Sequence, residues 1–152
     1  MSLVAVVDTN VWVSAFLNPA GYPARLVAAG KSRQFEVVVS EPLLDELLEV
    51  LSRPRIMKVW QTTVSDAETF VQMVSAVARL VPVSGGLGIC RDPDDDVLLE
   101  TALAGRATYV VSRDEDVTRD IELVRQFEGQ GVQLITVSRF LLRRRPCSCW
   151  VM

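Results

Sequence analysis

Short apolar runs rich in β-branched residues alternate with longer segments of helical periodicity along most of the chain. The runs are LVAVV at 3–7, FEVVV at 35–39, TYVV at 108–111 and a last one at 132–136, with a shorter strand expected near 80–83. Strands that are apolar on both faces are typical of a parallel sheet covered by helices on each side. We therefore predict an α/β fold, a three-layer α/β/α sandwich with a central, mostly parallel sheet.

The length and composition fit a single globular domain. The chain has 152 residues, of which 49% are hydrophobic and 23% charged, and no linker or repeat divides it. We predict one domain over 1–142 and a disordered tail at 143–152. There is no apolar run of about 18 residues and no signal peptide, so no membrane association is expected. Three cysteines, an odd number, favour a reduced, cytoplasmic protein.

The chain contains no histidine. This excludes a Ser-His-Asp triad, an imidazole acid–base pair and a histidine metal site. Any catalysis is therefore expected to depend on carboxylates. The formal net charge of −3 neither indicates nor excludes a nucleic-acid-binding protein.

Two acids follow predicted strands directly. Asp8 comes after LVAVV, and Asp114 comes after TYVVS. Ligands of open parallel sheets bind outside the carboxyl ends of the strands, so these side chains are candidates for a shared site. Asp116 is the alternative to Asp114, although an N-cap or first-turn role in the next helix suits Asp116 better.

Helical geometry selects one acid in the segment 41–52. Glu46 falls at the edge of the apolar arc formed by the leucines, whereas Asp45 and Glu49 fall on the water side. Glu46 is therefore the acid expected to be half-buried. Taken alone, this helix still favours the simpler alternative that all three acids are solvated, because acids mostly stay exposed.

The same geometry applies to the helix that begins near Asp94. Its buried face is apolar, and Asp95 projects near the centre of that face, with Asp94 and Asp96 to either side. Asp92 or Asp94 can cap this helix, so capping does not explain an inward Asp95. Helix evidence alone leaves capping and metal ligation equally open for Asp95.

Several carboxylates gathered at one edge repel each other and are costly to bury in the ionised form. A divalent cation removes that cost. Oxygen ligands without histidine or cysteine select Mg²⁺ or Mn²⁺, and such ions support phosphodiester cleavage by activating water and stabilising the leaving oxygen.

Four segments together resemble the successive motifs of PIN domains, most closely the VapC-like toxins of toxin–antitoxin systems. They are VVDTNVWVSAFL, SEPLLDELLEVLSRPR, CRDPDDDVLLETAL and YVVSRDEDV. Each motif is weak alone, but the ordered set, covering roughly residues 3–142, is specific. The resemblance implies a PIN-like fold and a Mg²⁺- or Mn²⁺-dependent ribonuclease that cleaves RNA, is inhibited by an antitoxin protein and forms a homodimer.

The resemblance also assigns roles by motif. It implies that the catalytic acids are Asp8, Glu46, Asp95 and Asp114, and that the metal is held by Asp8, Asp95 and Asp114, with Asp116 joining through water. Polar support would come from Thr9, Asn10 and Ser112.

Basic residues offer a further hypothesis for RNA contact. Arg53, Arg55 and Lys58 lie near Trp60, and basic plus aromatic side chains can hold single-stranded RNA. A solvated turn with a core tryptophan is the favoured interpretation of this segment. Similarly, the arginines at 143–145 could contact phosphates, but a tail without function is the simpler view.

Two other classes of protein remain as alternatives. A haloacid-dehalogenase-like phosphatase needs a second acid two residues after the first, where this chain has Asn10, and a well-placed lysine, for which only Lys31 and Lys58 are available. A receiver domain fails for similar reasons. A non-catalytic PIN-like module that only binds RNA or a partner would keep the fold without turnover.

Overall fold

A computed structural model describes residues 3–112 and 120–143. Its sheet contains five parallel strands in the order β3-β2-β1-β4-β5. The strands are β1 (Val4–Val7), β2 (Glu36–Val39), β3 (Arg79–Leu80), β4 (Tyr109–Ser112) and β5 (Gln133–Thr136). The predicted parallel sheet is confirmed, and β1, the strand that leads into Asp8, lies at its centre.

Helices connect the strands and cover both faces of the sheet. They are α1 (Thr9–Leu17), α2 (Tyr22–Lys31), α3 (Glu41–Leu51), α4 (Pro54–Trp60), α5 (Val64–Val77), α6 (Pro93–Gly105), α7 (Ile121–Gly129) and α8 (Val137–Arg143). None of the described helices is both long and apolar enough to cross a bilayer.

The core is divided by the sheet into two apolar layers. Ala5 and Val7 of β1 belong to the layer that includes Trp12 and Phe140, whereas Val6 belongs to the layer that includes Phe127. Successive strand residues point to opposite faces, so the central strand β1 must be apolar on both sides. This arrangement confirms the predicted α/β/α sandwich.

Three local predictions were wrong. The sequence SDAE at 65–68 predicts a capping box of Ser65 and Glu68, but Thr63 and Asp66 form it, because α5 begins two residues earlier. The strand expected over 80–83 spans Arg79–Leu80. The segment expected to be a solvated turn with a core tryptophan is helix α4, which buries no residue and leaves Trp60 49% exposed.

The predicted site residues Asp114 and Asp116, and residues 144–152 of the predicted tail, lie outside the described residues.

Gly105 allows α6 to approach β2 closely. A Cβ atom at this position would lie 2.3 Å from Cγ1 of Val38 and 3.0 Å from its Cγ2. Val38 is only 1% exposed, so it has little room to move aside.

We predict that Gly105→Ala lowers the free energy of unfolding by about 1–3 kcal/mol, because overpacking forces the helix and strand apart. Urea denaturation measures this. Gly129→Ala is the matched control, since no atom lies within 4 Å of the Cβ built there. Equal losses in the two variants would contradict the close-approach explanation.

Candidate active site at the carboxyl edge of the sheet

Asp8 is held at the carboxyl edge by its backbone. Its N–H donates to the carbonyl oxygen of Val111 at 2.9 Å, which extends the pairing of β1 with β4 by one residue. Its own carbonyl oxygen accepts from the N–H groups of Val11 and Trp12, the first turn of α1. The side chain is half-buried, so the strand–helix junction fixes a carboxylate at the edge.

Carboxylates from three elements influence each other at this edge. Burial, followed by the charge of Glu46, raises the pKa of Asp8 to about 6. The backbone N–H groups of Asn10 and Thr9 oppose this rise, and the charge of Asp95 adds to it. The structure therefore brings Glu46 and Asp95 within electrostatic range of Asp8.

Glu46 lies on α3 as helical geometry predicted. It is half-buried, whereas Asp45 and Glu49 are exposed. Glu49 instead forms an ion pair with Arg53, with 2.9 Å between Oε2 and Nη2. Of the three basic residues proposed to contact RNA, Arg53 is thus paired to α3, and Arg55 and Lys58 are exposed on α4.

Asp95 is half-buried near the N-terminus of α6, and Asp92 is the N-cap residue, accepting from the N–H of Asp94 at 2.9 Å. Burial, followed by the charges of Asp92, Asp94 and Asp120, raises the pKa of Asp95 to about 6. Asp120 was missed by sequence reasoning. It caps α7 by accepting from the N–H of Leu123 at 3.2 Å, and an acid directly before a helix was the available signal.

Asp96 is the buried acid of α6, which corrects the expectation that Asp95 points to the centre of the buried face. Asp96 is 7% exposed and accepts hydrogen bonds from the N–H groups of Gly88, Ile89 and Cys90 at 2.8–2.9 Å. Desolvation acts to raise the pKa of Asp96, but these three N–H groups together hold it below its usual value.

A second carboxylate of α6 fastens the other end of the same loop, residues 84–90. Glu100, one helical turn after Asp96, accepts from the N–H groups of Ser84 and Gly85 and from the Ser84 hydroxyl. The N–H of Ser84 and the other donors lower the pKa of Glu100. The glycine-rich loop is therefore anchored to α6 at both ends. It leads directly into the start of α6, where Asp92 and Asp95 lie.

The three polar residues expected to support the site differ in their surroundings. Thr9 is 4% exposed, and its hydroxyl has no hydrogen-bond partner among the described residues. Asn10 is exposed on α1. Ser112 is 1% exposed at the end of β4, beside the position that Asp8 occupies after β1.

The donor chemistry fits a divalent cation, although the described part of the chain supplies only part of a site. Within residues 3–112 and 120–143, no group of three or more carboxylate or cysteine side chains is arranged to hold a metal. Mg²⁺ needs only one or two protein carboxylates when water and phosphate complete its shell. Asp8 and Asp95, with pKa values raised by burial and uncompensated charge, and the unpartnered Thr9 hydroxyl fit that requirement.

A family model described as the PIN domain matches residues 4–116. The chain belongs to the PIN-domain family. PIN domains are generally nucleases that use divalent metal ions. The matched span contains Asp8, Glu46 and Asp95, together with the positions of Asp114 and Asp116.

Two similar proteins extend this comparison. An uncharacterized protein of Methanocaldococcus jannaschii is 23% identical over 117 residues, which cover 77% of this chain and 74% of that protein. The crystal structure of VapBC2 from Rickettsia felis, bound to a DNA fragment from their promoter, contains a chain of similar fold. The TM-score is 0.59 at 11% identity, covering 88% of this chain and 98% of that one, so this likeness concerns the PIN-domain fold alone.

The raised pKa of Asp8 predicts how stability depends on pH without metal. An acid whose pKa rises from 3.8 to about 6 on folding binds more protons in the folded state, so the free energy of unfolding falls as the pH rises from about 4 to about 6. The full difference is on the order of 3 kcal/mol. We expect Asp8→Asn to be more stable than the parent above pH 6 in a chelator, and similar to it near pH 4.

Thermal melts at pH 4.5 and 7.5 measure this difference. Asp95→Asn should act in the same direction with a smaller effect, because Asp95 is more open to solvent. Asp45→Asn, an exposed acid on α3, serves as the control and should change little. A lower melting temperature for Asp8→Asn at pH 7.5 would show that the carboxylate is compensated within the folded chain.

The hydrogen bonds to Asp96 predict an opposite pattern. Asp96→Ala leaves three N–H groups without their acceptor and should lower the free energy of unfolding at neutral pH on the order of 3 kcal/mol. Because the pKa of Asp96 is lowered, this contribution is present at neutral pH and is lost as the pH falls below the ordinary value of 3.8.

Urea denaturation at pH 7.5 gives the stability loss, and hydrogen exchange at residues 88–90 locates it. Exposed Glu122→Ala on α7 is the control. Unchanged exchange at these three amides in Asp96→Ala would contradict the anchoring role.

Proposed function

We propose that this PIN domain is a Mg²⁺- or Mn²⁺-dependent endoribonuclease. The observation that carries the proposal is the convergence of Asp8, Glu46 and Asp95, from three separate elements, at the carboxyl edge of the sheet. Keeping these acids together costs stability because their charges and burial oppose ionisation. Such a costly cluster of acids is consistent with a function that uses their negative charge.

In this proposal the metal is held by Asp8 and Asp95 together with Asp114 and Asp116, which lie outside the described residues. When bound, Mg²⁺ or Mn²⁺ supplies activation of water and stabilisation of the leaving oxygen in phosphodiester hydrolysis. Glu46 faces the same edge from α3 and orients the attacking water. The buried hydroxyl of Thr9 can donate a hydrogen bond to a carboxylate or phosphate oxygen, and Ser112 adds a polar group between β1 and β5.

We further propose that the chain is the toxin of a toxin–antitoxin pair, acting in the cytoplasm as a homodimer. Support comes from the order of the four sequence motifs and from the fold shared with a chain of VapBC2 from Rickettsia felis. An antitoxin protein that covers the carboxyl edge would block the three acids at once, which is a direct means of inhibition.

We predict that the purified chain cleaves single-stranded RNA, that Mn²⁺ or Mg²⁺ stimulates cleavage and that a chelator abolishes it. Asp8→Asn and Asp95→Asn should each reduce the rate at least 100-fold, because each removes a ligand charge without altering the fold. Gel analysis of a labelled RNA over time, with and without metal, measures the rates.

Asp45→Asn is the matched control, since it removes one acid from the water side of α3 and should leave cleavage unchanged. Metal-independent cleavage, or cleavage that persists in both Asp8→Asn and Asp95→Asn while they remain folded, would contradict the proposed metal-dependent ribonuclease. A parent chain that binds RNA and metal without turnover would instead identify a non-catalytic binding module.

A further inference from the structure

A groove of about 450 Å³ lies beside the carboxyl edge, outside the cluster of acids. It is lined by the end of α1, the start of α2, the end of α4 and the junction of β5 with α8. Two aromatic side chains in its lining are unusually open to solvent: Tyr22 is 58% exposed and Trp60 is 49% exposed. We call this feature the aromatic groove.

The aromatic groove lies close to the candidate active site. Thr136 lines it and pairs in register with Ser112 at the end of β4. Asp8 stands one residue beyond the pairing of Val7 with Val111, at the level of Ser112. Asp8 and Thr136 are therefore two strand positions apart, a backbone separation of about 10 Å. A substrate held at Asp8 needs to extend only a short way to reach the groove.

The elements that form the groove carry positive charge only. The described elements α1, α2, α4, β5 and α8 contain no aspartate or glutamate, although the chain as a whole has 19 acids and a net charge of −3. Their basic residues are Arg25, Lys31, Arg55, Lys58, Arg139 and Arg143. The guanidinium of Arg25 lies 5.1 Å from the centroid of the Tyr22 ring, so one of these charges stands at the groove itself.

We propose that the aromatic groove binds single-stranded RNA next to the phosphodiester that is cleaved. Bases stack on the exposed rings of Trp60 and Tyr22, and the basic residues of α2, α4 and α8 attract the phosphates. Exposed aromatic rings combined with positive charge are the usual means of holding single strands without sequence readout. This inference rests on the proposed ribonuclease function and names the surface that holds its substrate.

An apolar protein segment fits these observations less well than RNA does. The groove is lined by the two rings, by apolar side chains such as Leu17 and by polar side chains such as Asn18, and the elements around it carry basic residues and no acids. A polyanion with planar groups matches both features. An acidic peptide or a second copy of the chain would match only one of them, and both are tested below.

The test measures RNA binding without cleavage. Fluorescence polarisation of a 5′-labelled single-stranded RNA dodecamer is followed in a chelator, with all variants made in the Asp8→Asn chain. Trp60→Ala should weaken binding about tenfold and Tyr22→Ala should weaken it severalfold, whereas Trp60→Phe should keep most of the affinity because it keeps a stacking ring. Ile121→Ala is the control, since Ile121 is 65% exposed on α7, on the opposite face of the sheet.

Salt dependence isolates the charge component. Arg25→Gln should reduce the slope of log affinity against log salt by about 0.7, the value for one phosphate contact with a single strand. Arg125→Gln on α7 removes an exposed arginine from the opposite face and should leave the slope unchanged. Circular dichroism melts confirm folding, which α4 variants should preserve because α4 buries no residue.

Unchanged affinity in both Trp60→Ala and Tyr22→Ala, or no RNA binding by the Asp8→Asn chain, would overturn the proposal. Two other results would also overturn it, provided that RNA affinity stays the same. One is sedimentation showing that Trp60→Ala breaks a dimer, and the other is loss of binding of an acidic peptide to the groove in Trp60→Ala. Weakened binding in a chain that shows no metal-dependent cleavage would end the ribonuclease proposal and leave the groove assignment standing. Normal metal-dependent cleavage by the parent chain, together with unweakened RNA binding in the groove variants, would end the groove assignment and leave the ribonuclease proposal standing.

Discussion

The parallel pairing of β1 with both β2 and β4 is the constraint on which the site depends. Because neighbouring strands run in the same direction, their carboxyl ends meet at one edge, and the residue after each strand is placed beside the residue after the next. Asp8 follows β1 and Ser112 ends β4, so a hydrogen bond from the Asp8 backbone to Val111 is enough to place both at that edge. The edge collects Glu46 and Asp95 only because α3 and α6 begin close to it. The register of three short strands thus determines which side chains can act together.

Adjacent acids on α6 show how the surroundings, and not the residue type, decide the charge of a carboxylate. Burial and nearby acids raise the pKa of Asp95, whereas three backbone N–H groups hold the pKa of Asp96 below its usual value. The negative charge of Asp95 has no compensating group among the described residues, so a group outside them must compensate it. Asp96 accepts the hydrogen bonds of the N–H groups of residues 88–90 and so fastens that end of the loop. A step of one residue along the helix therefore separates an acid suited to ligand binding from an acid that maintains the fold around it.

The sequence predicted the features that depend on local periodicity and missed those that depend on distant backbone. Alternation of apolar strands and helices predicted the sandwich, and the apolar arc of α3 separated half-buried Glu46 from exposed Asp45 and Glu49. The burial of Asp96 could not be read in the same way, because its donors lie in a loop that folds back over the helix. The exposure of Trp60 was missed because an aromatic residue among apolar neighbours is usually buried, and α4 has too few tertiary contacts to bury it. Ser40 is the N-cap residue of α3, as the sequence SEP predicts, but its side chain shares a buried hydrogen bond of 2.8 Å with Thr101, 61 residues away, and does not bond to the first turn of the helix.

The distribution of charge explains how a chain with a net charge of −3 can present a surface suited to a polyanion. Acids at the carboxyl edge would repel RNA unless a cation neutralised them, and so they cannot supply affinity by themselves. The described elements that form the aromatic groove have basic residues and no acids, so attraction and catalysis would be divided between two neighbouring surfaces. Because screening limits electrostatic effects to about 10 Å at moderate salt, the local surface matters more than the total charge. Net charge was therefore uninformative here, since opposite charges lie on different elements and cancel only in the sum.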